Sequence, residues 1–176
     1  GRLHGTAAPM EPTKVLYMYP QPGFELPPWA VLALIINNLD RKRFTPVVLA
    51  GEHSKGNPRI AADVAIHRFA LERPVDLARN LWAMRNFVTR EKIDVFHANE
   101  DGRSAALGSL LSVATRRTLV LHHHAPPQIY SGASLAALRA CALVAARNNG
   151  VSEYIANEVR ELGAPADTTA AILTGI

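Results

Sequence analysis

Cysteine is all but missing: Cys141 stands alone among 176 residues. No disulfide can form within the chain and no cysteine-based zinc site can be assembled, a usage that fits a reducing, cytoplasmic setting. Aromatic residues make up only 6% of the chain while alanine and leucine abound, which points away from an all-β sandwich and toward packed helices. The longest unbroken apolar run, residues 29–36, falls far short of the ~20 residues of a membrane-spanning helix. No opening segment joins a basic start to an apolar stretch and a cleavage site. Nor is there an internal repeat or a low-complexity tract.

Charge imbalance is also slight. Lys and Arg number 19 against 15 Asp and Glu, a net charge of +4, and the cations are scattered apart from Arg41-Lys42-Arg43 and Arg116-Arg117. A nucleic-acid binder carries a longer basic stripe interleaved with aromatics, so nucleic acid is not an expected partner. What the chain does have is material for a core. Apolar types reach 48% and charged types 19%, the proportions of a folded domain. Residues 1–13 read as a disordered leader or cloning remnant, and residues 14–176 as one domain.

Short apolar runs alternate with helical periodicities. Residues 14–18 predict a first strand that stops at Pro20-Gln21-Pro22-Gly23. A helix follows from about Pro28, with Leu32, Ile35, Ile36 and Leu39 at helical spacing. Further strands are predicted at 45–49, 65–69, 93–97, 118–121, 143–146 and 170–173. Between them, Leu77, Leu81, Met84 and Val88 mark one helix face, and Ser104 is placed to cap a helix with Leu107, Leu111 and Ala114 inward. Residues 134–141 predict another helix, and Ser152 and Gly163 bracket a last one with Ile155, Val159 and Leu162 inward. Strands alternating with helices imply right-handed crossovers and an α/β fold: a Rossmann-like, doubly wound parallel sheet covered on both faces.

In such a sheet ligands bind beyond the carboxyl ends of the strands, near the reversal of strand order. Three loops qualify: 19–27, 98–103 and 122–130. The first holds one glycine, Gly23, where a dinucleotide fingerprint needs three, and no P-loop is present, so NAD and FAD are not expected. Gly23, followed by Glu25 just before a helix, could present backbone N–H groups to an anion or simply make a tight turn. The second loop holds Asn99, Glu100 and Asp101, a cluster suited to a sugar or phosphate, or equally to a solvated, helix-capping loop. The third opens with His122-His123-His124. Successive side chains of an extended segment alternate sides, so His122 and His124 can share one that His123 cannot easily join. With no carboxylate at a set spacing, no metal is expected there. A histidine aimed into a cleft and hydrogen-bonded to a polar ligand is favoured; its rival is one ring bonded to backbone and two exposed.

Taken in order, Pro22-Gly23-Phe24-Glu25, Asp94-Val95-Phe96-His97-Ala98-Asn99, the run from Thr118 to His124, Val151-Ser152-Glu153-Tyr154 and Leu173-Thr174-Gly175-Ile176 carry a resemblance. The chain from Lys14 to Ile176 resembles the N-terminal half of a GT-B fold, in the family 4-like group of glycosyltransferases. It departs from that group's pattern with Pro22 for the first glycine of Gly-Gly-x-Glu, and with Asn99 for the second histidine of the Asp-hydrophobic-hydrophobic-His-x-His strand. The resemblance implies transfer of a sugar from a nucleotide-sugar to a sugar, lipid-linked or small-molecule acceptor, usually with retention and with neither a metal nor another cofactor. It further implies Gly23 near the donor phosphates, His124 or His122 against the donor sugar, and Glu25, Asn99 and Glu100 near acceptor hydroxyls. His97 is expected to be structural, buried at its strand end.

In that family the closing turn leads into a second domain that holds the nucleotide. The chain is therefore expected to be the acceptor-binding domain alone, inactive by itself, or one half of a two-chain enzyme. Two other classes remain open. One is a non-catalytic partner module, docking a catalytic chain or the inner face of a membrane through Trp29 with Arg41, Lys42 and Arg43. The other is an unrelated doubly wound binder of sugar phosphates, because fold does not fix function.

Overall fold

The short aliphatic runs become strands because each is bounded by turn residues before a helix could lengthen. The computed structural model describes residues 11–19, 27–54, 59–70, 73–99 and 102–173, with backbone only at 27–30, 74 and 77. Among these residues seven strands form: β1 Thr13–Tyr19, β2 Phe44–Gly51, β3 Ala65–Phe69, β4 Val95–Asn99, β5 Thr118–His123, β6 Arg147–Gly150 and β7 Thr169–Ala171. The α-helices described between them are five: α1 Pro27–Asn38, α2 Pro74–Arg90, α3 Gly102–Thr115, α4 Gly132–Val144 and α5 Glu153–Glu161. The strands make one sheet in the order β3-β2-β1-β4-β5-β6-β7, every pair parallel. This is the expected doubly wound α/β sheet, and its order reverses between β1 and β4.

Alternation along each strand divides the core in two. Leu16, Met18, Phe96, Ala98, Leu119 and Leu121 face α2, α3 and α4, where Met84, Phe87, Leu107, Leu111 and Leu138 meet them. Val15, Tyr17, Tyr19 and Val48 face the other way, under Leu32 and Ile36 of α1. A smaller cluster of Ala142, Ile155, Val159 and Ala164 seats α5. That seat depends on Gly150: a Cβ there would lie 2.6 Å from the backbone nitrogen of Ala156.

Several boundaries differ from the sequence expectation, each for a local reason. The fourth strand begins at Val95, two residues late, because Ile93 belongs to the end of α2. Lys92 turns left-handed at φ 54, and the Ile93 N–H donates to Val88 O, closing a Schellman motif whose apolar residue is Ile93 itself. Arg116, at φ 55, ends α3 in the same way, with the Arg117 N–H donating to Ser112 O. Gly163, at φ 111, ends α5 as expected, and the Ser152 side chain accepts from the Ile155 N–H as the expected cap.

Ser104 is not a cap: it lies inside α3, which starts at Gly102, and is fully buried. Ala114 is exposed, whereas Leu107 and Leu111 are buried. Leu143 and Val144 complete α4 instead of forming a strand, and the strand that follows is the polar run Arg147-Asn148-Asn149-Gly150. The third loop is also shorter than expected, because His122 and His123 belong to β5.

Candidate functional site

The carboxyl ends of β1, β4 and β5 lie side by side at the reversal of strand order, where a parallel sheet leaves a crevice. Register decides what gathers there. Tyr17 pairs with His97 across β1 and β4, and Asn99 pairs with His122 across β4 and β5. Paired residues of a parallel ladder point to the same face, so these four share the α1 side of the sheet.

The rings of Tyr17, His97 and His122, with that of His124, form a row. The Tyr17 and His97 centroids are 4.9 Å apart, those of His97 and His122 5.5 Å, and those of His122 and His124 4.5 Å. The two histidine pairs are stacked, with planes 18° and 21° apart. His124 also approaches Asn99, Nε2 to Oδ1, at 3.4 Å. His123 points through the opposite face, where its Nε2 meets Asn148 Oδ1 at 3.1 Å. His122 and His124 thus share one side without His123, as expected, with His124 just past the end of β5.

Burial shapes the chemistry. Asn99 and His122 are each 3% exposed. Among the described residues, Nε2 of His97, Nε2 of His122 and Nδ2 of Asn99 are buried with no hydrogen-bond partner. Such atoms are costly in a folded protein and concentrate where a ligand is to be met. Burial, reinforced by the charge of His124, pushes the His97 imidazole down to about 4. Burial pushes His122 down to about 3, with His97, His124 and His123 adding repulsion. Burial also raises the Tyr17 phenol to about 12, although Arg41 opposes the shift.

His97 and His122 are therefore neutral at physiological pH, each offering one donor and one acceptor. This suits hydroxyl groups better than a phosphate, which calls for cations or a cluster of N–H donors. Near-parallel stacked rings also direct their lone pairs along separate planes instead of to one point. Among the described residues no group of three or more His, Cys, Asp or Glu is placed to hold a metal ion.

Gly23, Glu25 and Glu100 fall outside the described residues, and of the proposed site only Asn99, His122 and His124 are brought together. His97, expected to be buried at its strand end, is half-buried, lies two residues before the end of β4 and joins their row. Tyr17 was not anticipated; its signal was parity, two residues before the end of β1 on the face that His97 also uses. The basic turn proposed for membrane docking is partly engaged within the fold. Arg41 holds Asp63 at 3.1 Å and Ile36 O at 2.7 Å, and the Arg43 guanidinium lies 5.2 Å from the centre of the Phe44 ring. The Trp29 side chain is outside the described atoms, and no described helix is long and apolar enough to cross a membrane.

Comparison with known proteins adds a family and a fold. The profile of Glycosyltransferase Family 4 matches residues 30–176. No curated protein matches the chain. Among solved structures, Anabaena HepE in complex with UDP superposes with a TM-score of 0.71 at 18% identity, covering 93% of this chain and 44% of its own. UDP-N-acetylglucosamine 2-epimerase from Rickettsia bellii gives 0.68 at 13% identity, covering 92% and 44%. The lipopolysaccharide outer core galactosyltransferase WaaB, in its apo form, gives 0.65 at 10% identity, covering 89% and 44%. The chain thus spans less than half the length of these proteins and has the fold of the N-terminal half of a GT-B structure.

Proposed function

Because the chain belongs to Glycosyltransferase Family 4, we propose that it is the acceptor-side lobe of an enzyme moving a sugar from a nucleotide-sugar to an acceptor. The observation that carries this reading is the cluster of polar groups at the carboxyl ends of β1, β4 and β5, among them the buried Asn99 and His122. Nε2 of His122 and Nδ2 of Asn99 lack partners within the described chain, and a sugar's hydroxyls are ligands that can both donate and accept. Uncharged donors and acceptors recognise hydroxyls without attracting competing ions.

In this reading His124, the outermost ring of the row, meets the donor sugar, with His122 behind it. Asn99 contacts an acceptor hydroxyl, together with Glu25 and Glu100. Gly23 lets the loop backbone approach the donor diphosphate, whose developing negative charge needs N–H donors. Transfer proceeds with retention and draws on no metal. HepE, a structural neighbour, was crystallised with UDP and with UDP and glucose, which supports a nucleotide-sugar as donor for this chain's complete enzyme.

Turnover is the test. Labelled UDP-sugars incubated with the 176-residue chain alone should give no product, whereas the same chain followed by a donor-binding lobe should transfer the sugar. Turnover by the 176-residue chain alone would overturn the reading. Sugar binding without transfer by the two-lobed protein would instead favour a non-catalytic binding module.

A further inference from the structure

On the face of the sheet toward α4, Leu119 and Leu121 of β5 are buried and apolar, but the next residue on that side is His123. Asn148 of β6, the ladder partner of Leu121, reaches His123 diagonally, and both polar residues are 0% exposed. The amide orientation follows from its surroundings. Ala142 O, in the last turn of α4, can only accept, so Asn148 Nδ2 must be the group that faces it, at 3.0 Å. That leaves Asn148 Oδ1 toward His123 Nε2, at 3.1 Å, and the His123 ring must carry a proton on Nε2. The chain of contacts ties the last residue of β5 through β6 to α4.

An apolar pair would fill this position without the desolvation cost of a buried imidazole and amide. The geometry shows what the polar pair gains. His123 lies between His122 and His124 in sequence, and those two rings stack at 4.5 Å on the opposite face. We propose that His123 and Asn148 are positioning residues, which clamp the end of β5 from behind and thereby set the stacked presentation of His122 and His124. The use of that stack for sugar transfer rests on the function proposed above; the clamp itself does not.

Side-chain nitrogen–proton correlation spectra of the 176-residue chain labelled at histidine test the clamp directly. His123 should show the Nε2–H form, and finding the Nδ1–H form overturns the proposal before any variant is made. In the double variant His123→Leu/Asn148→Val, an apolar replacement of similar bulk, the chain should remain folded while His122 and His124 lose their mutual ring-current shifts. His123→Gln, whose amide can still donate to Asn148 Oδ1, should keep them. A folded double variant with unmoved His122 and His124 ring signals overturns the proposal, as does loss of those shifts in a folded His123→Gln. None of these spectra depends on nucleotide-sugar turnover, so failure of the transferase reading would leave them unchanged.

Discussion

The His122 and His124 rings lie 4.5 Å apart, with their planes 21° from parallel, at the point where β5 ends. Residues two apart in a continuing strand are separated by about 7 Å along it. The closer approach arises because His122 is still in the ladder whereas His124 has left it. The row running from Tyr17 to His124 is thus anchored at one end by β1 and released at the other into the loop where a ligand would arrive.

Acid should destabilise the fold through this row. Both His97, at about 4, and His122, at about 3, lie below the unfolded histidine value of about 6.5. The unfolded chain therefore binds more protons between those limits, and stability is present above about 6.5 and lost as pH falls toward the folded values. The slope reaches at most about 1.4 kcal/mol per pH unit for each ring. Urea midpoints measured from pH 7.5 to 4.5 should fall accordingly, and a flat profile would refute the shifts.

His122→Phe should make the chain more stable and slow sugar transfer by the proposed two-lobed protein. The substitution keeps an aromatic ring in the row but removes a buried Nε2 that has no partner, a gain of about 1 kcal/mol. It should also flatten part of the acid dependence. Chemical denaturation of the isolated chain reads the first effect; an unchanged or lower midpoint would contradict it.

Asn99→Ala and His124→Ala should each lower kcat/KM of the two-lobed protein about tenfold or more, the equivalent of one lost hydrogen bond of about 1.5 kcal/mol. His124 is only partly buried, so its removal should move the melting temperature little. Equal kcat/KM for His124→Ala and the parent would remove His124 from the proposed site.

Gly150→Ala should destabilise the chain by about 1–3 kcal/mol, because its Cβ would press on backbone of α5, 2.6 Å from Ala156 N and 3.0 Å from its Cα, with no flexible side chain to give way. Lys92→Gly and Arg116→Gly should act in the opposite direction. Both residues are exposed and left-handed at helix ends, where glycine relieves about 0.5–1 kcal/mol after its greater unfolded freedom is deducted. Guanidinium midpoints compare all three on one scale.

Much of the architecture could be read in advance, and the misplaced strands have a common cause. Residues 65–69 were placed without shift, Ser152 and Gly163 bracketed their helix as expected, and the separation of His123 from its neighbours followed from alternation alone. Misplacement occurred where apolar character served something other than a strand. Ile93 closes a helix end, and Leu143 and Val144 extend a helix onto exposed surface. The true strand β6 was hidden because its inward residue, Asn148, is satisfied by His123 and Ala142 O, partners far from it in pattern though close in space.

Local chemistry was enough to establish a parallel α/β sheet and the parity of the three histidines, because periodicity, caps and turns act over a few residues. It could not say that β4 would settle between β1 and β5, and so could not place Tyr17, His97 and His122 in one row. Strand neighbours are chosen by where each crossover packs its helix against the whole sheet. That choice, made by the assembled core, buried His122, lowered the proton affinity of His97 and His122, and gathered scattered polar residues into one row.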